Sequence, residues 1–182
     1  MNQSEPYQPG PASGAHIERE GDNWTLVLVR ELRHSPEKVW AALTDPAQLR
    51  EWAPFDVDSS MDKVGTVKLT WVGAPGPMDT KVTRVEPPNL LEYDGTRWQL
   101  EESGGGTRLT LWTKIPRGFI SMGAAGWHIA FDVLDHLLGG TPIGRLSGPA
   151  AMHFAGWQRL NAEYAQLFGV AVPKWTPGAP KS

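Results

Sequence analysis

The sequence predicts an α+β protein in which a curved antiparallel sheet of about six to seven strands wraps around a long C-terminal helix. Stretches between residues 65 and 115 alternate apolar and polar side chains, a pattern typical of a sheet with one buried and one solvated face. An early strand is followed by two short helices that begin at prolines. Residues 149–168 carry apolar side chains at the spacing of an α-helix, and a helix of this length could cover the sheet.

The first strand is predicted at residues 24–33, and residues 16–20 are in position to pair with it as a hairpin. Ser35-Pro36 and Asp45-Pro46 each combine an N-cap residue with a proline at the first helical position, so each predicts a helix start. Gly104-Gly105-Gly106 predicts a hairpin turn. The remaining strands are expected at 65–72, 78–86, 89–94, 96–102 and 107–115.

A helix at 127–138 precedes the last one and ends at Gly139-Gly140. Two short helices after the first strand and this extra helix complete the predicted set. The segment between Pro116 and Gly126 contains Phe119, Ile120 and Met122, and it is predicted as a loop. Two interpretations remain open for it: a mobile lid over a cavity, or ordinary loop packing.

Composition excludes several classes of protein. The chain has 182 residues, a formal net charge of −3 and no cysteine. Disulfides, thiolate nucleophiles and Cys-ligated metals are therefore excluded, and the charge balance does not favour a nucleic-acid partner. No apolar stretch is long enough to span a membrane. The N-terminus shows no pattern of a secretory signal, so we expect a cytoplasmic protein.

Three regions are predicted along the chain. Residues 1–15 are rich in Pro, Gly, Ser and Gln and are expected to form a disordered arm. Residues 16–170 form the folded domain, and residues 171–182 are expected to be a flexible tail.

Several stretches resemble the START-like superfamily, also called SRPBCC or Bet v 1-like. The first stretch consists of Leu28 to Leu32, Ser35 to Pro46 and Leu49-Arg50-Glu51-Trp52. It is most similar to the bacterial branch of the superfamily that is named after activator homologues of the heat-shock protein 90 ATPase. The same pattern continues in residues 85–93, 106–111, 126–138 and 164–169. The resemblance implies a helix-grip fold with a cavity between sheet and C-terminal helix. Relatives bind lipids, hormones or polyketides there, and a few perform chemistry.

Nine tryptophans in one small domain indicate either a wide aromatic cavity or a solid aromatic core. Asn161 lies within the apolar arc of the last helix, where a buried amide must find a partner. That partner is either a bound ligand or a backbone group or water at the rim. Trp112 is out of phase with Leu109 and Leu111, so it should face outward, where it serves a dimer contact or no function. The candidate ligand-binding residues are Trp52, Trp71, Trp98, Trp127, Phe131, Trp157, Asn161 and Tyr164.

His128, Asp132 and His136 are spaced four residues apart on one helical face, together with Asp135. Such a face could present ligands to a metal, but a solvated face explains the same residues, and we predict no metal site. The sequence shows no nucleophile elbow, phosphate-binding loop or dinucleotide fingerprint. We therefore assign no catalytic residue and no cofactor.

Three functions follow from these observations. The first is binding of a small hydrophobic or aromatic molecule in the cavity. The second is an enzyme of the polyketide cyclase or hydrolase type that uses the same cavity, for which no convincing titratable group is found. The third is an interaction protein that resembles the chaperone-ATPase activators. A homodimer contact and a chaperone are the macromolecular partners considered.

Overall fold

Within residues 7–172 the chain forms one sheet of eight antiparallel strands. A computed structural model describes residues 7–172, and its strand order is β1-β2-β8-β7-β6-β5-β4-β3. The strands are β1 (Ala15–Glu20), β2 (Asn23–Leu32), β3 (Phe55–Val57), β4 (Gly65–Trp71), β5 (Met78–Glu86), β6 (Leu90–Tyr93), β7 (Thr96–Ser103) and β8 (Gly106–Lys114). The helices are α1 (Pro36–Thr44), α2 (Pro46–Trp52), α3 (Ile120–Leu138), α4 (Gly148–Met152) and α5 (Ala155–Phe168).

Alternation in the sequence predicted the faces of the central strands. In the β7–β8 pair, Trp98 lies opposite Leu111 and Leu100 lies opposite Leu109, and all four side chains are buried. The register of β5 on β6 shifts between Val82 and Arg84, a bulge of the kind that bends a strand. Strand β3 was not predicted because three residues are too few to show a period.

The two short helices begin as the sequence indicated. The Ser35 hydroxyl accepts a hydrogen bond from the Lys38 amide at 3.2 Å, and Pro36 fills the first turn of α1. The Asp45 carboxylate accepts from the Ala47 amide at 3.3 Å, and Pro46 opens α2. Each cap satisfies an amide that a helix start leaves without a partner.

The helix that crosses the concave face of the sheet is α3, which corrects the prediction that residues 149–168 would do so. Helix α3 packs against β2, α1 and α2, whereas α5 packs mainly on α3. Residues 149–168 also form two helices, because the chain turns at His153 and Phe154 between α4 and α5. The architecture is thus a helix-grip fold in which α3 is the gripped helix and α5 covers its outer side.

Helix α3 is longer than expected because tertiary packing overrides local propensity. Gly123 and Gly126 lower the helix propensity of its first half, and this region was predicted as a loop. Ile120, Ala124 and Ala125 are nevertheless fully buried. A helix that is buried on several sides gains more from packing than it loses at two glycines.

Aromatic rings from α2, α3 and β7 fill the core of the protein next to α3. The Trp98 ring centroid lies 6.3 Å from that of Trp52, 5.4 Å from Trp127 and 5.9 Å from Phe131. The Trp52 indole donates to the Ala42 carbonyl oxygen, and the Trp98 indole donates to the Tyr93 hydroxyl, both at 2.9 Å. Both indole N–H groups are therefore satisfied within the protein, as a solid core requires.

Residues 7–14, expected to belong to a disordered arm, lie against α5. Arg159 donates to the Gly10 carbonyl oxygen at 2.9 Å, and the Ala12 amide donates to the Glu163 carboxylate at 2.9 Å. The Tyr7 hydroxyl donates to Asp132 on α3. Composition alone did not reveal these contacts because they join residues 125 to 151 positions apart. Residues 1–6 and 173–182 lie outside the described range, and with them most of the predicted tail.

Candidate functional site

A cavity of about 300 Å³ lies beside the aromatic core, between the first half of α3 and the start of α4. Pro54 and Val72, which follow α2 and β4, close its third side. We call it the α3–α4 cavity. Its aromatic lining residues are Trp71, Phe119, Trp127 and Trp157, and its larger aliphatic ones are Val72, Ile115, Met122 and Met152.

The aromatic wall joins three different elements. Trp127 on α3 is anchored in the core, where its ring lies 5.4 Å from Trp98 and 6.5 Å from Phe55. Trp157 on α5 is 5% exposed. Trp71 lies at the end of β4, edge-on to Phe55 at 5.3 Å. Trp71 is 42% exposed, although its phase in β4 predicted a side chain on the inner face of the sheet.

Glycines give the cavity its shape. A Cβ atom on Gly123 would lie 2.4 Å from Ile115 Cδ1, so glycine allows α3 to approach this side chain closely. Gly148 has a φ of +69°, and a Cβ atom there would lie 2.7 Å from the Val72 carbonyl oxygen. By contrast, a Cβ atom on Gly126 would meet no atom within 4 Å. Side chains larger than hydrogen at Gly126 would therefore extend into free space at the cavity.

The segment considered as a lid is helical and only partly at the cavity. Phe119 ends a 3₁₀ turn, Arg117–Phe119, and is 59% exposed at the cavity margin. Met122 lines the cavity from the first turn of α3. Ile120 is fully buried in the core instead.

Ser147 is the lining residue of the α3–α4 cavity that carries a hydroxyl group, although its Oγ has almost no accessible surface. It is the N-cap residue of α4, yet its side chain makes no cap hydrogen bond. Within residues 7–172, its Oγ and the Arg145 Nε are the buried side-chain polar atoms that have no hydrogen-bond partner. Of these two residues, only Ser147 lines the cavity. Sequence reasoning did not single out this serine, and Ser147-Gly148-Pro149 carried only the signal of a helix start.

The structure separates the predicted ligand-binding residues into three groups. Trp71, Trp127 and Trp157 line the α3–α4 cavity. Trp52, Trp98 and Phe131 lie in the solid core beside it, all at most 1% exposed. Asn161 and Tyr164 lie on the opposite side of α3, at the interface between α3 and α5. The Asn161 side-chain oxygen accepts a hydrogen bond from the Ser121 hydroxyl at 2.8 Å.

Tyr164 belongs to a polar network that joins α3, α5 and the N-terminal segment. Its hydroxyl lies 2.6 Å from His128 Nδ1 and donates to the Ser13 carbonyl oxygen at 3.1 Å. Asp132 accepts hydrogen bonds from Tyr7 and Arg30 and lies 3.8 Å from His128 Nε2. Burial lowers the pKa of His128, although the Asp132 charge opposes this shift. Burial also raises the pKa of Tyr164 to about 12.

This network corrects the expectation of a solvated face on α3. His128 is buried and Asp132 is largely covered, whereas Asp135 and His136 are exposed. Helix α5 and residues 7–14 cover the first pair, and neither contact was visible in the helical periodicity. In the part of the chain that the structure describes, no group of three or more His, Asp or Glu side chains is placed to hold a metal ion.

The outer face of the sheet carries a separate, open depression of about 530 Å³. Trp112 faces it, as its phase in β8 predicted, and the Arg97 guanidinium lies 5.1 Å from the Trp112 ring. Glu92, Asp94 and Lys114 also border this depression. The role of Trp112 in a dimer contact stays a prediction.

A helix-grip fold with an apolar cavity beside the gripped helix defines the START-like, Bet v 1-like class of proteins. Residues 23–154 match the family model described as polyketide cyclase/dehydrase and lipid transport, so the chain belongs to this family. The match ends where α5 begins. Helix α5, including Trp157, therefore lies outside the matched region.

Solved structures support the same fold. A Rhodobacter sphaeroides protein is 27% identical over 69% of this chain and 98% of its own, with a TM-score of 0.54. A conserved protein of unknown function from Enterococcus faecalis is 17% identical over 86% of this chain and 92% of its own, with a TM-score of 0.63. CalU16 from Micromonospora echinospora is 21% identical over 85% of this chain and 94% of its own, with a TM-score of 0.57.

A search of curated proteins found no match. Across residues 7–172, no helix combines the length and apolarity needed to cross a bilayer.

Proposed function

We propose that this protein binds a small aromatic or otherwise apolar molecule in the α3–α4 cavity. The observation that carries the proposal is an apolar space of about 300 Å³ that is bordered by the indoles of Trp71, Trp127 and Trp157. Ligand sites in proteins are typically concave, mainly apolar and about 300–1,000 Å³ in volume. The cavity is at the lower end of that range, which favours a compact ring system over a long lipid chain.

The chemistry of the lining favours binding over catalysis. The residues that line the α3–α4 cavity, all within the described range, include no acidic, basic, histidine or tyrosine side chain. General acid–base catalysis needs a titratable group within reach of the reacting atoms. The polyketide cyclase or hydrolase alternative lacks such a group at this cavity. The chaperone-activator alternative and a cytoplasmic location stay predictions.

The proposal is tested with 1-methylnaphthalene as an apolar probe and the ¹⁵N-labelled protein. Indole N–H resonances report on each tryptophan separately in NMR spectra. We expect the probe to shift the resonances of Trp71, Trp127 and Trp157, and to leave Trp112 on the outer face unchanged. For a probe of this size, a dissociation constant on the order of micromolar to millimolar is expected.

Two variants at one position provide the control. Gly126→Leu places an isobutyl group at the cavity, where a Cβ atom meets nothing within 4 Å. We expect it to weaken probe binding about tenfold or more by filling the space. Gly126→Ala adds one methyl group and should retain most of the affinity. Absence of shifts in the wild-type protein, or equal affinity in wild type and Gly126→Leu, would show that this cavity is not a binding site.

A further inference from the structure

Residues 7–12 of the N-terminal segment lie in a groove along α5, which we call the α5 groove. It is formed by Asp132 of α3 and by Phe154, Gly156, Arg159 and Glu163 at the start and along the length of α5. Other residues line the α3–α4 cavity. The α5 groove is therefore a separate surface that holds an extended piece of chain.

One end of the α5 groove holds the aromatic side chain of Tyr7 at two points. The Tyr7 hydroxyl donates to the Asp132 carboxylate, and the Tyr7 ring centroid lies 5.9 Å from that of Phe154. These contacts suit an aromatic ring that carries a hydrogen-bond donor, as the side chains of tyrosine and tryptophan do.

The next part of the groove holds a Pro-Gly pair. Pro9 is buried, and a Cβ atom on Gly156 would lie 2.8 Å from Pro9 Cδ, so glycine allows α5 to approach the proline ring closely. Arg159 donates to the carbonyl oxygens of Pro9 and Gly10 at 2.5 Å and 2.9 Å. The bound segment thus has the sequence aromatic-x-Pro-Gly.

The same motif occurs a second time in the chain, as Trp175-Thr176-Pro177-Gly178. The remaining Pro-Gly pair, Pro75-Gly76, has Gly73 at the position of the aromatic residue. The Trp175 side chain offers a large apolar ring and an N–H donor, the two features with which Tyr7 binds the groove.

The two segments differ after the glycine of the motif. Pro180 stands where the N-terminal segment has Ala12. The Ala12 amide donates to the Glu163 carboxylate at 2.9 Å, and proline has no N–H group for this bond. We therefore expect the C-terminal segment, residues 173–182, to bind the groove more weakly than the N-terminal segment does.

We propose that the α5 groove recognises aromatic-x-Pro-Gly segments, and that the C-terminal segment of a second copy of this chain occupies it when the N-terminal segment leaves. Two copies that exchange these segments form a symmetric dimer. Recognition combines backbone hydrogen bonds from Arg159 with side-chain contacts to an aromatic ring and a proline, as is common for extended peptides.

The C-terminal segment of the same chain has almost no spare length for this position. The Val170 amide donates to the Ala165 carbonyl oxygen at 2.9 Å, which ties the chain to the end of α5. Trp175 can lie at most about 18 Å from Val170. Phe154 lies about 16 Å from Ala165 along the axis of α5. The N-terminal segment runs in the same direction as α5, from Phe154 towards Glu163, so the chain would have to arrive fully extended and then reverse. A second copy has no such constraint.

The test uses the full-length protein with a weakened N-terminal segment, Tyr7→Ala combined with Pro9→Ala. The wild type should be mainly monomeric at micromolar concentration, because its tethered segment has an effective concentration on the order of millimolar. The variant should form dimers whose fraction rises with concentration in analytical ultracentrifugation. Adding Trp175→Ala should abolish this dimer, whereas adding Lys181→Ala, which lies outside the motif, should retain it.

Two outcomes would refute the second copy as occupant. One is a Tyr7→Ala/Pro9→Ala variant that stays monomeric at every concentration. The other is a dimer that persists after Trp175→Ala, which would place the contact elsewhere, for example at Trp112 on the outer face of the sheet.

A fluorescently labelled peptide of residues 173–182 tests recognition without self-association. Fluorescence anisotropy measures its binding to the Tyr7→Ala/Pro9→Ala/Trp175→Ala protein. Trp175→Ala in the peptide should lower the affinity about tenfold or more, because it removes the buried aromatic anchor. Arg159→Ala in the protein should lower the affinity roughly tenfold through the loss of hydrogen bonds to the peptide backbone. Equal affinities for the two peptides would refute recognition of the motif.

Thermal unfolding checks that each variant is folded. If the weakened variants do not fold, the wild-type protein serves for the same comparison of peptides, with both affinities lowered by competition from its own N-terminal segment. The peptide that retains Trp175 should still bind more tightly, and equal binding would again refute the proposal.

Discussion

Gly123 and Gly126, in the first half of α3, should differ in how substitution by alanine changes the stability of the protein. Gly123 and Gly126 are both interior residues of this helix, and alanine is more favourable than glycine there by about 1 kcal/mol. At Gly126 nothing opposes this gain, because a Cβ atom would meet no neighbour within 4 Å. At Gly123 the added atom would lie 2.4 Å from Cδ1, the end of the Ile115 side chain. That side chain must therefore move, and an off-rotamer shift costs about 0.5–1.5 kcal/mol.

We therefore expect Gly126→Ala to raise the free energy of unfolding by about 1 kcal/mol, which corresponds to an increase in Tm of roughly 2–4 °C for a chain of this length. Gly123→Ala should be no more stable than the wild type, since the propensity gain and the steric cost oppose each other. Urea unfolding followed by circular dichroism measures both values, and thermal unfolding provides an independent check.

The comparison depends only on the geometry of α3 and needs no ligand. If both variants were stabilised equally, the Ile115 side chain would not oppose the substitution at Gly123, and the predicted difference would be refuted. If Gly126→Ala were destabilised, the free space at the cavity would be wrong, and the binding proposal would lose its structural basis.

Further predictions concern the polar groups between α3 and α5. Because burial lowers the pKa of His128 below its ordinary value of 6.5, the unfolded chain binds a proton at a pH where the folded chain does not, so stability should decrease as pH falls below about 6.5. This decrease should be shallower in His128→Gln, measured by urea unfolding across pH 5–7, and identical slopes in the two proteins would exclude His128 as its source. Asn161→Leu should cost about 1–3 kcal/mol by leaving the Ser121 hydroxyl without its partner, yet it should not change the affinity for 1-methylnaphthalene. Weaker probe binding in that variant would instead support Asn161 as a ligand contact.

Local signals in the sequence were sufficient for the strands other than β3 and for the short helices α1 and α2. Alternation placed Trp98 and Leu100 on the inner face of the sheet, and both are buried. The cap residues Ser35 and Asp45 start α1 and α2 as expected. These features depend on neighbours close in the chain, so a periodic pattern or a cap residue is enough to reveal them.

The candidate site was predicted only in part. Trp71, Trp127 and Trp157 line the cavity, but Trp52 and Trp98 fill the core. All five are aromatic residues that alternation or helical spacing assigned to inner faces, so the pattern could not separate them. Their roles depend on where each one lies along the sheet relative to the start of α4, which is a matter of tertiary packing.

By itself, the sequence determined an α+β protein with an antiparallel sheet and two helices that begin at prolines. It also predicted several tryptophans on the inner faces of these elements. Only the tertiary structure decided that α3 rather than the last helix lies in the grip, that residues 7–14 cover α5, and that the indoles of Trp71, Trp127 and Trp157 border one cavity. Secondary structure follows short-range periodicity, whereas a cavity is the space left between elements. That space depends on how segments far apart in the chain pack, and no local pattern records it.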